Sequence, residues 1–158
     1  MENISLTRYL DQRRILLLTE ISSKKRVFEL LGETLAEDLD SVQPAHVTAE
    51  LLARERLGTT ALGEGVAIPH CRLENIEQIR CAVIKLDHPV DFDAPDGRDV
   101  SIICALVVPN EATEEHLQML ASLAEFLSKP SNRENLRNCE SARELQEIFT
   151  ESFDKHAA

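Results

Sequence analysis

The segment Gly63-Glu64-Gly65-Val66-Ala67-Ile68-Pro69-His70 carries the clearest chemical pattern in the chain. Its apolar residues Val66-Ala67-Ile68 predict a short strand. Pro69 fixes φ at about −65° and donates no hydrogen bond. The next side chain, His70, is therefore held at a strand end, where α/β folds place their ligands. Such a histidine is either a half-exposed loop residue or a nucleophile. At pH 7.5 an imidazole with a pKa of ~6.5 is roughly 90% neutral and offers a lone pair to phosphorus, whereas a lysine at ~10.4 would be only about 0.1% neutral. The second ring nitrogen then needs a hydrogen-bond acceptor from elsewhere in the fold, to aim the correct nitrogen outward.

Two further residues suit an anionic group. His116 lies three positions after Thr113, in the first turn of a predicted helix, where free N–H groups and the helix dipole attract negative charge. It is either a donor to phosphate or a helix-start histidine half covered by Leu120. Arg54 precedes the glycine-bearing loop, and its guanidinium fork fits phosphoryl oxygens as well as it fits a solvated helix face. The hydroxyls of Thr59 and Thr60 either touch phosphate or satisfy local backbone. His46, His88 and His156 are read as ordinary residues, in a helix start, a turn before Pro89 and the C-terminal tail. No H-E-x-x-H, P-loop, G-x-S-x-G or metal-ligand spacing occurs, so no metal or cofactor is expected.

Several elements are predicted to position these residues. Ser23 caps a helix with Val27, Leu30, Leu31, Leu35 and Leu39 at helical spacing. A second helix opens at Pro44, carries Val47, Leu51 and Leu52, and stops near Gly58. Thr59 to Gly65 reads as a loop. Strands are expected at Arg14 to Ile21, Val66 to Ile68, Ile79 to Leu86 and Val100 to Val108. The last is continuously apolar and should be buried on both faces. Pro95-Asp96-Gly97 is a turn. A long helix follows Thr113, and Ser141 with Glu144 forms a capping box for a final one. Strands interleaved with helices predict an α/β fold with a central sheet covered by helices.

Composition narrows the function. The 158 residues are 43% hydrophobic and 28% charged, with a net charge of −11. That charge opposes nucleic acid and anionic membrane surfaces. The longest apolar run, Ile102 to Val108, is far below the roughly 20 residues that span a bilayer. The start, Met1-Glu2-Asn3-Ile4-Ser5, has no basic stretch or apolar core, so a cytoplasmic location is expected. Cys71, Cys81, Cys104 and Cys139 form no C-x-x-C pair and read as reduced thiols.

Three segments together, Arg54-Glu55-Arg56-Leu57-Gly58-Thr59-Thr60, Gly63 through His70, and Thr113-Glu114-Glu115-His116-Leu117, resemble the mannitol/fructose-type IIA domain of the bacterial phosphoenolpyruvate:sugar phosphotransferase system. The resemblance implies one domain over residues 1–158, with a core of about 5–150 and a short C-terminal tail, folded as a five-stranded mixed sheet flanked by helices. It implies His70 as phosphoacceptor, with His116 and Arg54 as its active-site companions; Thr59 and Thr60 stand as candidate phosphate ligands on their hydroxyls alone. The donor would be a histidine-containing phosphocarrier protein. The chain would be a phosphotransferase-type carrier rather than a free-standing turnover enzyme. Ser22-Ser23-Lys24-Lys25-Arg26 resembles the nitrogen-regulatory branch, whose phosphorylation states act on target proteins; a sugar-transport subunit or a phosphorylation-inactive binding module are the alternatives. The family usually has glycine after the active histidine. Here Cys71-Arg72 stands there, which predicts a different local backbone or partner access, and Arg72 as one more candidate phosphate ligand.

Overall fold

A computed structural model describes residues 6–18, 20–111 and 113–154 of the chain. Residues 1–5, read above for a leader, and His156 lie outside the described residues.

Local signals in the sequence account for most element starts. Ser23 Oγ accepts the Arg26 N–H at 3.2 Å and opens α1 (Lys24–Leu35). Pro44 occupies the first turn of α2 (Pro44–Arg56), and Leu57 and Gly58 end it. Gly32 lets these two helices approach closely, because a Cβ there would lie 1.9 Å from Thr48 Oγ1. The strands are β1 (Ile15–Leu18), β2 (Ala61–Gly63), β3 (Val66–Ala67), β4 (His70–Leu73), β5 (Arg80–Val90) and β6 (Val100–Pro109). Three helices follow, α3 (Glu114–Ser128), α4 (Pro130–Arg137) and α5 (Ala142–Ile148), the last running into a π-helical turn at Phe149–Asp154.

The strands form one mixed sheet in the order β1-β5-β6-β3-β2, with β4 also on β6. Side chains alternate across it with period 2. On β6, Ile103, Ala105 and Val107 pack under α1 and α2 with Phe28, Leu31 and Leu51. Ile102, Cys104 and Leu106 pack under α3 to α5 with Leu123, Phe126 and Phe149. The continuous apolar run is thus buried on both faces, as its pattern predicts, and the α/β architecture holds.

The sheet has six strands where five are expected, and the register explains the difference. Val66 pairs with Ile102 and Ala67 with Ile103; His70 then pairs with Leu106 and Cys71 with Val107. Alignment along β6 never slips, so β3 and β4 are one line of the sheet broken at Ile68-Pro69, where proline lacks the N–H for a ladder bond. The expected loop from Thr59 to Gly65 contains β2, which turns back onto β3 through Gly63-Glu64-Gly65, all three at positive φ (91°, 56° and 78°). Two glycines make that turn cheap. His88 lies within β5 rather than in a turn, β1 is shorter than the stretch from Arg14 to Ile21, and α4 appears where no helix is expected.

Candidate functional site

β2 pairs only with β3, so among the described residues β4 has no strand on its outer edge. His70 stands at the first residue of that uncovered segment. Its Nδ1 lies 2.7 Å from the carbonyl oxygen of Ile68. A carbonyl only accepts, so Nδ1 carries the proton and Nε2 keeps its lone pair. The break in the strand therefore supplies the acceptor that aims the ring. Half-burial lowers the His70 pKa below its ordinary 6.5; the Ile68 carbonyl works against that shift, the nearby Arg54 charge adds to it, and Glu55 opposes it. The ring is thus held in its neutral, nucleophilic form.

His116 is fixed in the opposite sense. It occupies the third position of α3, where its Nδ1 accepts the Thr113 N–H at 3.1 Å, completing part of a capping box. A backbone N–H only donates, so the proton of neutral His116 resides on Nε2. Arg54, in the last turn of α2, donates from Nη1 to the Gly58 carbonyl at 2.9 Å, and this bond steadies the guanidinium beside the helix end.

The three residues line one open cleft of about 630 Å³. Arg72 and Asn110 share it with Leu57, Leu106, Val108, Leu117 and Leu120. Leu57 and Leu117 are 85% and 55% exposed, so apolar surface surrounds the polar centre. One wall offers an unprotonated nitrogen, and the cleft also holds a guanidinium and an imidazole N–H. Such a set can grip an anionic group while a lone pair attacks it.

Thr59 and Thr60 are not brought to that cleft. Thr60 is buried, and its hydroxyl lies 2.9 Å from Glu55 Oε1; the Thr59 hydroxyl lies 2.9 Å from the Phe92 carbonyl. Thr60 turns inward to the carboxylate of Glu55, buried at the end of α2, and Thr59 donates chiefly to the Phe92 carbonyl. Glu55 and the Ile68 carbonyl are the site features that reading the sequence misses. A carboxylate in the last turn of a helix, against the dipole and next to two threonines, was the available signal for the first. A backbone acceptor two residues away leaves no signal in side-chain types.

Cys71 lies in extended backbone paired with Val107 and is absent from the positive-φ positions, so nothing in its own conformation requires glycine. Its thiol is pushed up to about 12 by burial and stays protonated at neutral pH. All four cysteines are unpaired and buried. His46 is in the first turn of α2 and exposed, as is His88 on β5. Among the described residues no helix is long and apolar enough to cross a membrane, and no group of three or more His, Cys, Asp or Glu could hold a metal.

Comparison with known proteins gives a consistent picture. Residues 8–152 match the family model for the phosphoenolpyruvate-dependent sugar phosphotransferase system, EIIA 2. A nitrogen regulatory protein of Pseudomonas aeruginosa is 40% identical over 148 residues, covering 94% of this chain and 96% of that one. The crystal structure of nitrogen regulatory protein IIA-Ntr from Neisseria meningitidis superposes with a TM-score of 0.86 at 45% identity, over 91% of this chain and 98% of that one. The IIA mannitol structure from Escherichia coli gives 0.72 at 25% identity, over 88% of this chain and 97% of that one.

Proposed function

Because this chain belongs to the EIIA type-2 family of the phosphoenolpyruvate-dependent sugar phosphotransferase system, we propose that it is a phosphocarrier whose His70 Nε2 accepts a phosphoryl group from the phosphohistidine of a histidine-containing phosphocarrier protein. The lone pair on Nε2 forms the new N–P bond. The donor's N–P bond breaks, and its electron pair returns to the donor imidazole. His70 loses no proton, since Nδ1–H is already engaged with Ile68. As the ring gains positive character on phosphorylation, that hydrogen bond becomes charge-assisted and stronger. Arg54 and the Nε2–H of His116 hold the equatorial oxygens as charge spreads over them. On this reading catalysis consists of positioning and electrostatics.

The observation that carries this reading is the opposite polarity of the two histidines lining one cleft: His70 presents a lone pair and His116 a donor, beside a guanidinium. The test is intact-mass analysis after incubation with phosphoenolpyruvate, enzyme I and the carrier protein. One acid-labile phosphoryl group mapped to His70 is the expected result. No added phosphate, or phosphate on another residue, overturns it.

The output is regulatory on this reading. Relatives at 40% and 37% identity are named nitrogen regulatory proteins, and the similarity runs nearly end to end with the first. A phosphohistidine in a cleft rimmed by Leu57 and Leu117 places negative charge at the centre of an apolar surface, which changes the affinity of any protein docking there. The likeness to mannitol IIA favours a second reading, delivery of phosphate to a sugar-specific partner. Restored mannitol or fructose uptake in cells lacking their own IIA would select it.

A further inference from the structure

Glu55 is a buried carboxylate that the transfer chemistry leaves unused. It is 7% exposed and sits in the last turn of α2, next to Arg54. That position faces the negative end of the helix dipole, and burial removes its water, so a carboxylate there needs dedicated partners. Thr60 donates its backbone N–H at 2.7 and 2.9 Å to the two carboxylate oxygens and its hydroxyl to Oε1 at 2.9 Å. The Thr59 hydroxyl lies 3.2 Å from the same carboxylate, and Lys24 Nζ, 3.7 Å away, balances the charge.

From Thr60 the connection runs on to the nucleophile. The Thr60 carbonyl accepts the Ile68 N–H at 3.0 Å, and the Ile68 carbonyl accepts Nδ1–H of His70 at 2.7 Å. Three hydrogen bonds thus link the carboxylate to the imidazole by way of Thr60, just before β2, and Ile68, just after β3. Through Thr60, the same carboxylate ties the end of α2, which carries Arg54, to the broken strand, which carries His70.

We propose that Glu55 is a positioning residue: by clamping Thr60 it fixes the Ile68 peptide, and through that peptide the tautomer and aim of the His70 ring relative to Arg54. The effect on transfer rests on His70 being the phosphoacceptor; the effect on the tautomer does not. Nothing in this role requires Glu55 to touch the phosphoryl group.

The experiment reads the ring nitrogens of His70 by ¹⁵N NMR in the unphosphorylated protein, alongside the rate of phosphate acceptance. Wild type should show the Nδ1–H form. In Glu55→Gln a mixture of tautomers should replace it, the His70 midpoint should fall further because an opposing negative charge is gone, and acceptance should slow at least about fivefold. Thr60→Val keeps the backbone N–H and should change the tautomer in the same direction by less, while Thr60→Ser should restore wild-type behaviour. Slow transfer with an unchanged tautomer and midpoint in Glu55→Gln would reveal a general structural role and overturn the proposal. Should Glu55→Gln fail to fold, Thr60→Val decides: an unchanged tautomer there overturns it too. A wild type that takes up no phosphate would refute the acceptor assignment and leave the tautomer comparison standing.

Discussion

The two histidines of the cleft use the same ring atom, Nδ1, with opposite polarity, and the difference comes from what mounts them. His70 follows a broken strand whose Ile68 carbonyl takes no backbone N–H among the described residues, so the ring donates to it at 2.7 Å. His116 sits on a fresh helix end whose Thr113 N–H lacks an intrahelical acceptor, so the ring accepts it at 3.1 Å. A strand break supplies a free C=O and a helix start supplies a free N–H. Backbone geometry alone therefore leaves one imidazole with a free Nε2 lone pair and the other with an Nε2–H donor. The strand mount is buried and tied into a hydrogen-bond chain; the helix mount is exposed apart from its inner face.

Removing the proposed phosphoacceptor breaks the comparison most severely. His70→Ala should accept no phosphate under conditions that fully label wild type, as read by intact mass; labelling of that variant would place the acceptor elsewhere. Folding should respond as well. Burial depresses the His70 pKa below 6.5, so the unfolded chain binds the proton at higher pH than the folded one. The stability linked to this group is fully present above 6.5 and is lost as pH falls through the depressed folded value. Denaturant titrations should show a shallower loss of stability across that acidic window in His70→Ala than in wild type.

Arg54→Gln comes next. A charge-assisted hydrogen bond contributes about 1.5–3 kcal/mol, so transfer should slow roughly 10–150-fold. The same change removes a positive neighbour from His70, whose midpoint should rise on NMR titration. Adjacent substitutions then move one imidazole in opposite directions, upward for Arg54→Gln and downward for Glu55→Gln. A His70 midpoint indifferent to both would mean the end of α2 does not act on the nucleophile.

His116 sharpens the contrast, because its two nitrogens separate two roles. His116→Ala loses a neutral donor and a cap, which should slow transfer about 2–10-fold and cost about 1 kcal/mol of stability. Glutamate suits the third helix position of a capping box. His116→Glu should therefore recover stability while its carboxylate repels phosphate and keeps transfer slow. His116→Gln, which can accept the Thr113 N–H and still donate, should recover both. Equal rates for the Glu and Gln variants would show that the cap alone matters.

These dependencies also show what is readable from sequence. Caps and proline positions act within a few residues, so Ser23, Pro44 and Ser141 announce their helices directly. β6 is legible because burial on both faces leaves only apolar residues. The three cleft residues are legible as candidates because a proline-held histidine, a helix-start histidine and a helix-end arginine each have a local reason to bind an anion. α4 is not, since only Arg133 and Leu136 of its eight residues are buried and no apolar stripe marks it. Nor is the destination of Thr59 and Thr60: two threonines beside a glycine look available to a ligand until Glu55 folds in beneath them. The tautomers are less visible still, because each depends on a backbone atom whose freedom is created by the fold.

The smallest effect should fall beside the nucleophile. Cys71 is 8% exposed, extended and packed in the α1–α2 core, while His70 pairs with Leu106 one residue earlier on the strand. Cys71→Gly restores the residue usual in the family, yet the backbone here asks for nothing that only glycine provides. The substitution loosens a strand and removes buried side-chain contact, so it should lower stability by about 1–3 kcal/mol, measured by denaturant unfolding. The tautomer of His70 and its rate of phosphate acceptance should stay at wild-type values, because Ile68 and Thr60, not the following side chain, hold the ring. If the glycine variant instead transfers faster, Cys71, which also borders the cleft, is limiting the approach of the donor protein, and the strand mount is less independent of its neighbours than the helix mount.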